Sequence, residues 1–112
     1  MQPVRLTRPL QLEEAQRVPD GAGGFETEWV MLGTLWGDVQ LRSGRETEGE
    51  TVNLSSTRYR IVIRAMPQGA PSRPIAGQRF RNGARVFKIN AVAELDGSAR
   101  FLACYCDEEV VK

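Results

Sequence analysis

Apolar and polar residues alternate with a period of two along most of the chain, which predicts strands rather than helices. Val4, Leu6, Leu10 and Leu12 share one parity, interrupted by Arg8; the stretch LEEAQR at 12–17 fits either a continuing strand or a helical turn. The cluster PDGAGG at 19–24 predicts a turn. A long strand follows over 29–41, with Trp29, Met31, Gly33, Leu35, Gly37, Val39 and Leu41 on one parity and Thr34, Trp36, Asp38, Gln40 and Arg42 on the other. Its glycines are candidates for a bulge or bend. Parity sends Trp29 to the core and leaves Trp36 for core or contact, unless a bulge shifts the register.

The alternation stops over residues 43–57, SGRETEGETVNLSST. A patternless stretch of that length inside a compact domain is usually functional or disordered. It resumes with Tyr59, Ile61, Ile63 and Ala65 on one face and Arg58, Arg60 and Arg64, with Val62 among them, on the other. Pro67, Pro71 and Pro74 make 67–77 an irregular connection. Residues 78–81 then pair with 85–95 through Asn82-Gly83, a candidate type I′ hairpin, with Phe87, Ile89, Ala91, Ala93 and Leu95 sharing a face. Asp96-Gly97 turns the chain into 100–106, and a charged tail follows.

This pattern of five or six strands, with no helix and no repeat, predicts an all-β domain. The expected form is a small antiparallel β-barrel of about five to seven strands, or a sandwich, with a long flexible loop. Closure into a barrel removes the exposed edges. The 112 residues suit one domain, 1–112, in which 43–57 is an extended loop. A chain of that length buries a core without metals or disulfides.

Charge excludes little but shapes expectations. Fifteen basic and fourteen acidic residues leave a formal net charge of +1, so no global basic field favours nucleic acid. No run of apolar residues is long enough to span a membrane as a helix. The N-terminal residues lack the apolar region of a secretory signal, and a cytosolic origin is expected.

The chain has no histidine, so neither a Ser-His nor a Cys-His pair exists, and no catalytic residue, cofactor or metal site is expected. Cys104 and Cys106 lie two apart on a predicted strand, on one face, a poor geometry for a disulfide. They read as free, partly buried thiols, with an intersubunit or redox role as the alternative. Glu46, Glu48 and Glu50 alternate along the loop as a solvated acidic stretch or a loose cation site. The glycine cluster at 21–24 lacks the lysine and helix of a phosphate loop. Arg58, Arg60 and Arg64 form the only basic stripe: an exposed strand face, a protein contact, or a phosphate contact.

Four stretches together resemble the head-tail joining, or head-completion (stopper), proteins of siphophages and their gene transfer agent counterparts. They are PVRLTRPL, GGFETEWVMLGTLWGDVQLRSGRE, STRYRIVIRAM and the meander RFRNGARVFKINAVAELDGSARFLACYCDEE, which together cover nearly the whole chain. Departures from the family pattern are Gly37 where alanine is commoner after the tryptophan, Arg58-Tyr59 in place of the usual histidine, and Phe87 in place of tyrosine. The resemblance implies a non-enzymatic virion component, a small β-barrel assembled in the bacterial cytoplasm as a homo-oligomeric, dodecameric ring. Such a ring sits between the portal or adaptor ring above and the tail-terminator or tail-tube protein below. It closes the DNA-filled head, gates DNA exit and docks the tail, and double-stranded DNA passes through without sequence-specific binding. On that reading Arg42, Gly44, Arg45, Glu46, Glu48, Gly49 and Glu50 form the channel or gating loop, and Trp36, Arg58, Arg60 and Arg64 an interface. The alternatives are an OB-like nucleic-acid-binding module that uses the arginine stripe, or a tail-terminator ring protein of the same particle.

Overall fold

The computed structural model describes residues 3–42, 56–97 and 99–109. Six strands are present: β1 (Arg8–Pro19), β2 (Phe25–Leu41), β3 (Ser56–Arg64), β4 (Arg79–Asn82), β5 (Arg85–Glu94) and β6 (Phe101–Glu109). All neighbours are antiparallel, and the sheet closes on itself in the order β1-β2-β3-β6-β5-β4. The stretch at 12–17 is strand and not a helical turn, whereas Val4 and Leu6 precede β1.

Inward parity fills the closed sheet with Leu10, Leu12, Ile61, Ile63, Phe80, Phe87, Ile89, Leu102, Cys104 and Cys106, all essentially without solvent contact. Each large aliphatic or aromatic side chain among them contributes roughly 1.5–3 kcal/mol on burial. Leu35, Val39, Tyr59 and Val92 pack against this cluster from the same side. Both cysteines are free and buried in it, more deeply than the sequence suggests. Burial pushes the Cys104 thiol up to about 12, and burial raises Cys106 as well, so both stay protonated and behave as small apolar groups.

Two bulges correct the parity reading. Leu12 pairs with Gly33 but Glu13 pairs with Met31, which leaves Leu32 as the extra residue of β2. Below this bulge the faces of β2 exchange, so Trp29 sits on the outer face with Trp36 and not in the core. In β5, Ile89 pairs with Cys106 and Ala91 with Tyr105, so Asn90 is extra. Val92 therefore takes the inward place and Ala91 and Ala93 are exposed. A bulged residue has no partner, and everything beyond it changes side.

The turns follow local chemistry. At the β1–β2 turn the Asp20 carboxylate accepts from the N–H groups of Ala22 (2.8 Å) and Gly24 (3.0 Å). These bonds hold its pKa below the usual carboxylate range. The β4–β5 loop is Gly83-Ala84, because Asn82 pairs with Arg85. Only Gly83 has positive φ (61°), the signature of type II′ and not the expected I′. Residues 67–77 form the expected irregular connection, pinned where the buried Gln78 amide oxygen accepts from Ile75 N–H at 3.0 Å.

Gly37 explains one departure noted in the sequence. A Cβ there would lie 2.8 Å from Leu10 Cδ1, 3.1 Å from Ile61 Cγ2 and 3.3 Å from the Val62 carbonyl. A side chain there would have to displace Leu10 and Ile61. Gly37→Ala is expected to destabilise the domain by about 1–3 kcal/mol, measured by equilibrium denaturant unfolding. Unchanged stability would show that Leu10 and Ile61 can give way.

Candidate functional site

The outer face of β2 and β3 gathers the four residues predicted as an interface. Trp36 is 55% exposed and stands one position beyond the last β2–β3 pair, Gly37 with Ile63, which sets it opposite Arg64. Arg58 and Arg64 are exposed. Arg60 is committed: its Nε donates to Gln40 Oε1 at 2.8 Å, and Gln40 Nε2 donates to Asp38 Oδ2 at 3.0 Å. Asp38 also accepts the Arg5 N–H (3.2 Å), which ties the N-terminal segment to this face. Val62 lies on the same parity as the arginines yet is fully buried.

Arg42 joins this face as well. Its N–H donates to the Arg58 carbonyl, and its guanidinium stands 5.9 Å from the centre of the Tyr105 ring. Tyr105 is the residue paired with Arg60 on β6, whereas Tyr59 points inward. Two separated aromatics, Trp36 and Tyr105, beside this arginine row are sparse for a stacking platform of the OB type, where bases need successive aromatic faces. The other predicted loop residues, Gly44, Arg45, Glu46, Glu48, Gly49 and Glu50, lie outside the described residues.

Two charged clusters were missed by the sequence reading. At one mouth of the closed sheet, Arg85 grips Glu108 in bidentate fashion, Nε to Oε2 at 2.7 Å and a terminal nitrogen to Oε1 at 3.0 Å. The same nitrogen donates to Tyr59 Oη at 3.2 Å, and the guanidinium lies 4.8 Å from the Phe87 ring centre. Tyr59 and Phe87 meet edge to face at 5.3 Å. The hydrogen bonds from Arg85 hold the Glu108 carboxyl below its ordinary range, and those to Glu108 raise the guanidinium. Parity carried the signal: Arg85 shares a face with Phe87 and Ile89, and Glu108 with Cys104 and Cys106.

The second cluster closes the sheet. Glu13, nearly buried, accepts from Arg79 Nε at 2.7 Å and lies 3.3 Å from Arg81 Nε. The Arg79 guanidinium also stacks 3.9 Å from the centre of the Trp29 ring.

Concavities are open and shallow. One groove of about 720 Å³ runs between the 67–78 connection and Glu14, Leu32 and Val92; another of about 450 Å³ lies beside Met66, Arg73 and Leu102. Among the described residues no group of three or more His, Cys, Asp or Glu side chains is placed to hold a metal ion. What the geometry offers is surface: exposed Phe25, Met31, Trp36 and Leu41 all lie along β2.

The fold is a closed antiparallel sheet with exposed aromatic and arginine side chains on its outer face, and comparison with known proteins gives its class. The family model for phage head completion proteins matches residues 1–109, and the chain belongs to that family, whose members are structural parts of the virion. Among solved structures, a chain of the virion of a native gene transfer agent particle is 51% identical. That match covers 99% of this chain and 100% of the other, with a TM-score of 0.78. The solution structure of protein SF1141 from Shigella flexneri 2a is 23% identical over 100% of both chains, with a TM-score of 0.69, a likeness of fold alone. No curated protein matches.

The Arg85–Glu108 pair has a testable pH signature. Because the folded-state pKa of Glu108 is below its unfolded value, its contribution is complete above the unfolded range near 4.5 and is lost as pH falls through the lower folded value. Glu108→Gln is expected to cost about 1–2 kcal/mol at neutral pH and to flatten the acid limb of stability against pH. An unchanged acid limb would remove Glu108 as its source.

Proposed function

We propose that this chain is a head-tail connector of a tailed phage or gene transfer agent particle. Copies form a ring between the portal or adaptor ring and the tail, close the DNA-filled head, gate DNA exit and dock the tail. The observation that carries this reading is the end-to-end relationship, at 51% identity, to a chain of a gene transfer agent virion. The physical features agree with it. A conduit needs a stiff wall, and a sheet without free ends to its order provides one. Subunits need adhesive flanks, and Trp36, Arg58 and Arg64 offer the exposed aromatic and guanidinium groups that anchor protein contacts. Contacts between unlike patches close into rings when the rotation between neighbours permits.

Ser56 and Thr57 of the expected loop belong to β3, and the remaining stretch, 43–55, is assigned the channel role from its composition, one arginine against three glutamates. Carboxylates facing passing DNA repel its phosphates within about 8 Å at physiological salt, so the duplex slides without adhering. Gly44 and Gly49 supply the backbone freedom a gate requires.

Two experiments test this. Particles made without the chain are expected, by electron microscopy, to be heads that lose DNA and carry no tails; intact tailed particles would overturn the connector reading. Glu46→Gln, Glu48→Gln and Glu50→Gln together are expected to slow DNA ejection from otherwise normal particles. Ejection and retention at the native level would detach the loop from the channel.

A further inference from the structure

The β1–β2 hairpin outreaches the sheet that holds it. β4 pairs with β1 only over Gln11, Leu12 and Glu13, and β3 pairs with β2 only from Gly37 to Leu41. Among the described residues, the pairs from Glu14–Val30 to Pro19–Phe25 therefore have no neighbouring strand on either side. They form a two-stranded arm about 20 Å long. Such a ribbon is marginal alone in water and gains stability when its faces are covered.

The two faces of the arm differ in kind. One carries Phe25, Trp29 and Arg17, with the Arg17 guanidinium 4.5 Å from the Phe25 ring centre and Arg79 over Trp29; Met31 continues it, and Phe25 and Met31 are more than half exposed. The other carries Glu14, Glu26 and Glu28, with Val18 and Val30 between them and no basic residue. One face is aromatic and cationic; the other is acidic with a small apolar centre.

We infer that neighbouring copies of this chain stack their arms, the aromatic-arginine face of one against the glutamate face of the next. Like faces do not serve: two glutamate faces repel, and two arginine faces leave the glutamates without partners. A contact between unlike faces of one element is heterologous and propagates around a ring. The inference rests on the ring reading above and adds the surface by which subunits meet.

Charge reversal tests it in assembled particles. Arg17→Glu alone, and Glu26→Arg with Glu28→Arg alone, are each expected to cut the yield of full tailed particles about tenfold, since each sets like charges together at every contact. The three substitutions in one chain are expected to restore the yield to within about twofold, because every copy then supplies both reversed faces. Phe25→Ser, at the exposed tip, leaves charge untouched and is expected to lower the yield as well. Circular dichroism of each purified variant confirms that the sheet is retained. Folded variants that assemble at the native level, or a triple variant that is not rescued, overturn the arm contact. The ring reading survives either result so long as native particles hold several copies of the chain; a single copy per particle overturns both.

Discussion

Closure of the sheet depends on its shortest seam. Every other interface between neighbours has at least four paired residues, but β1 and β4 share three. At that seam Leu12 and Phe80 meet on the inside, fully buried, and Glu13 meets Arg79 and Arg81 on the outside. The inner pair supplies hydrophobic stabilisation. The outer carboxylate bridges two guanidinium groups that would otherwise face each other two residues apart on β4, and offsets one of their two charges. Removing it would leave two positive charges on a half-covered surface, a larger loss than the pair itself contributes. β4, a hairpin partner of β5, is thus joined to β1 by three paired residues, one buried apolar contact and one shared carboxylate.

The seam also decides where β2 leaves the body. Pairing with β4 ends at Glu13, and the Leu32 bulge sits at the same level on the partner strand. A bulge bends and twists its strand, so the hairpin departs where lateral support ends. Arg79 joins the two parts, because one guanidinium binds Glu13 at the seam and covers Trp29 at the root of the arm. Loss of that residue would affect both closure and the direction of the arm.

This geometry explains what the sequence could and could not reveal. Alternation placed β3 to β6 to within three residues, but it started β2 at 29 instead of 25, began the first strand at Val4 and left 12–17 open. The inward parity of Ile61 and Ile63 in unbulged β3 holds, whereas Val62, grouped with the arginines, is buried as well. It misplaced Trp29 and Ala91 for a common reason: a bulge is a single unpaired residue, and neither Leu32 nor Asn90 is a glycine that would mark one. Of the interface residues, Trp36, Arg58, Arg60 and Arg64 do share one outer face, as parity requires. That Arg60 is occupied by Gln40 depends on cross-strand register, which only the fold supplies. The arm was invisible for the same reason. A long strand reads alike whether or not it has neighbours, and among the described residues the absence of lateral neighbours over 14–19 and 25–36 follows from how short β4 and β3 are opposite them.

An unpaired strand edge of this length is a hazard for a free chain, since it offers rows of N–H and C=O groups to any other edge. The arm carries the protections such edges use. Pro19 removes a donor at its end, the Leu32 bulge interrupts its root, and Glu26 and Glu28 place charge along the face that lacks arginine. Two arms brought together by like faces gain little, so random pairing is disfavoured while an ordered contact between unlike faces remains open. In the proposed contact, the same glutamates that deter aggregation would select the orientation of the neighbouring arm. Phe25 and Met31, both more than half exposed, are the apolar groups that the proposed contact between arms would cover.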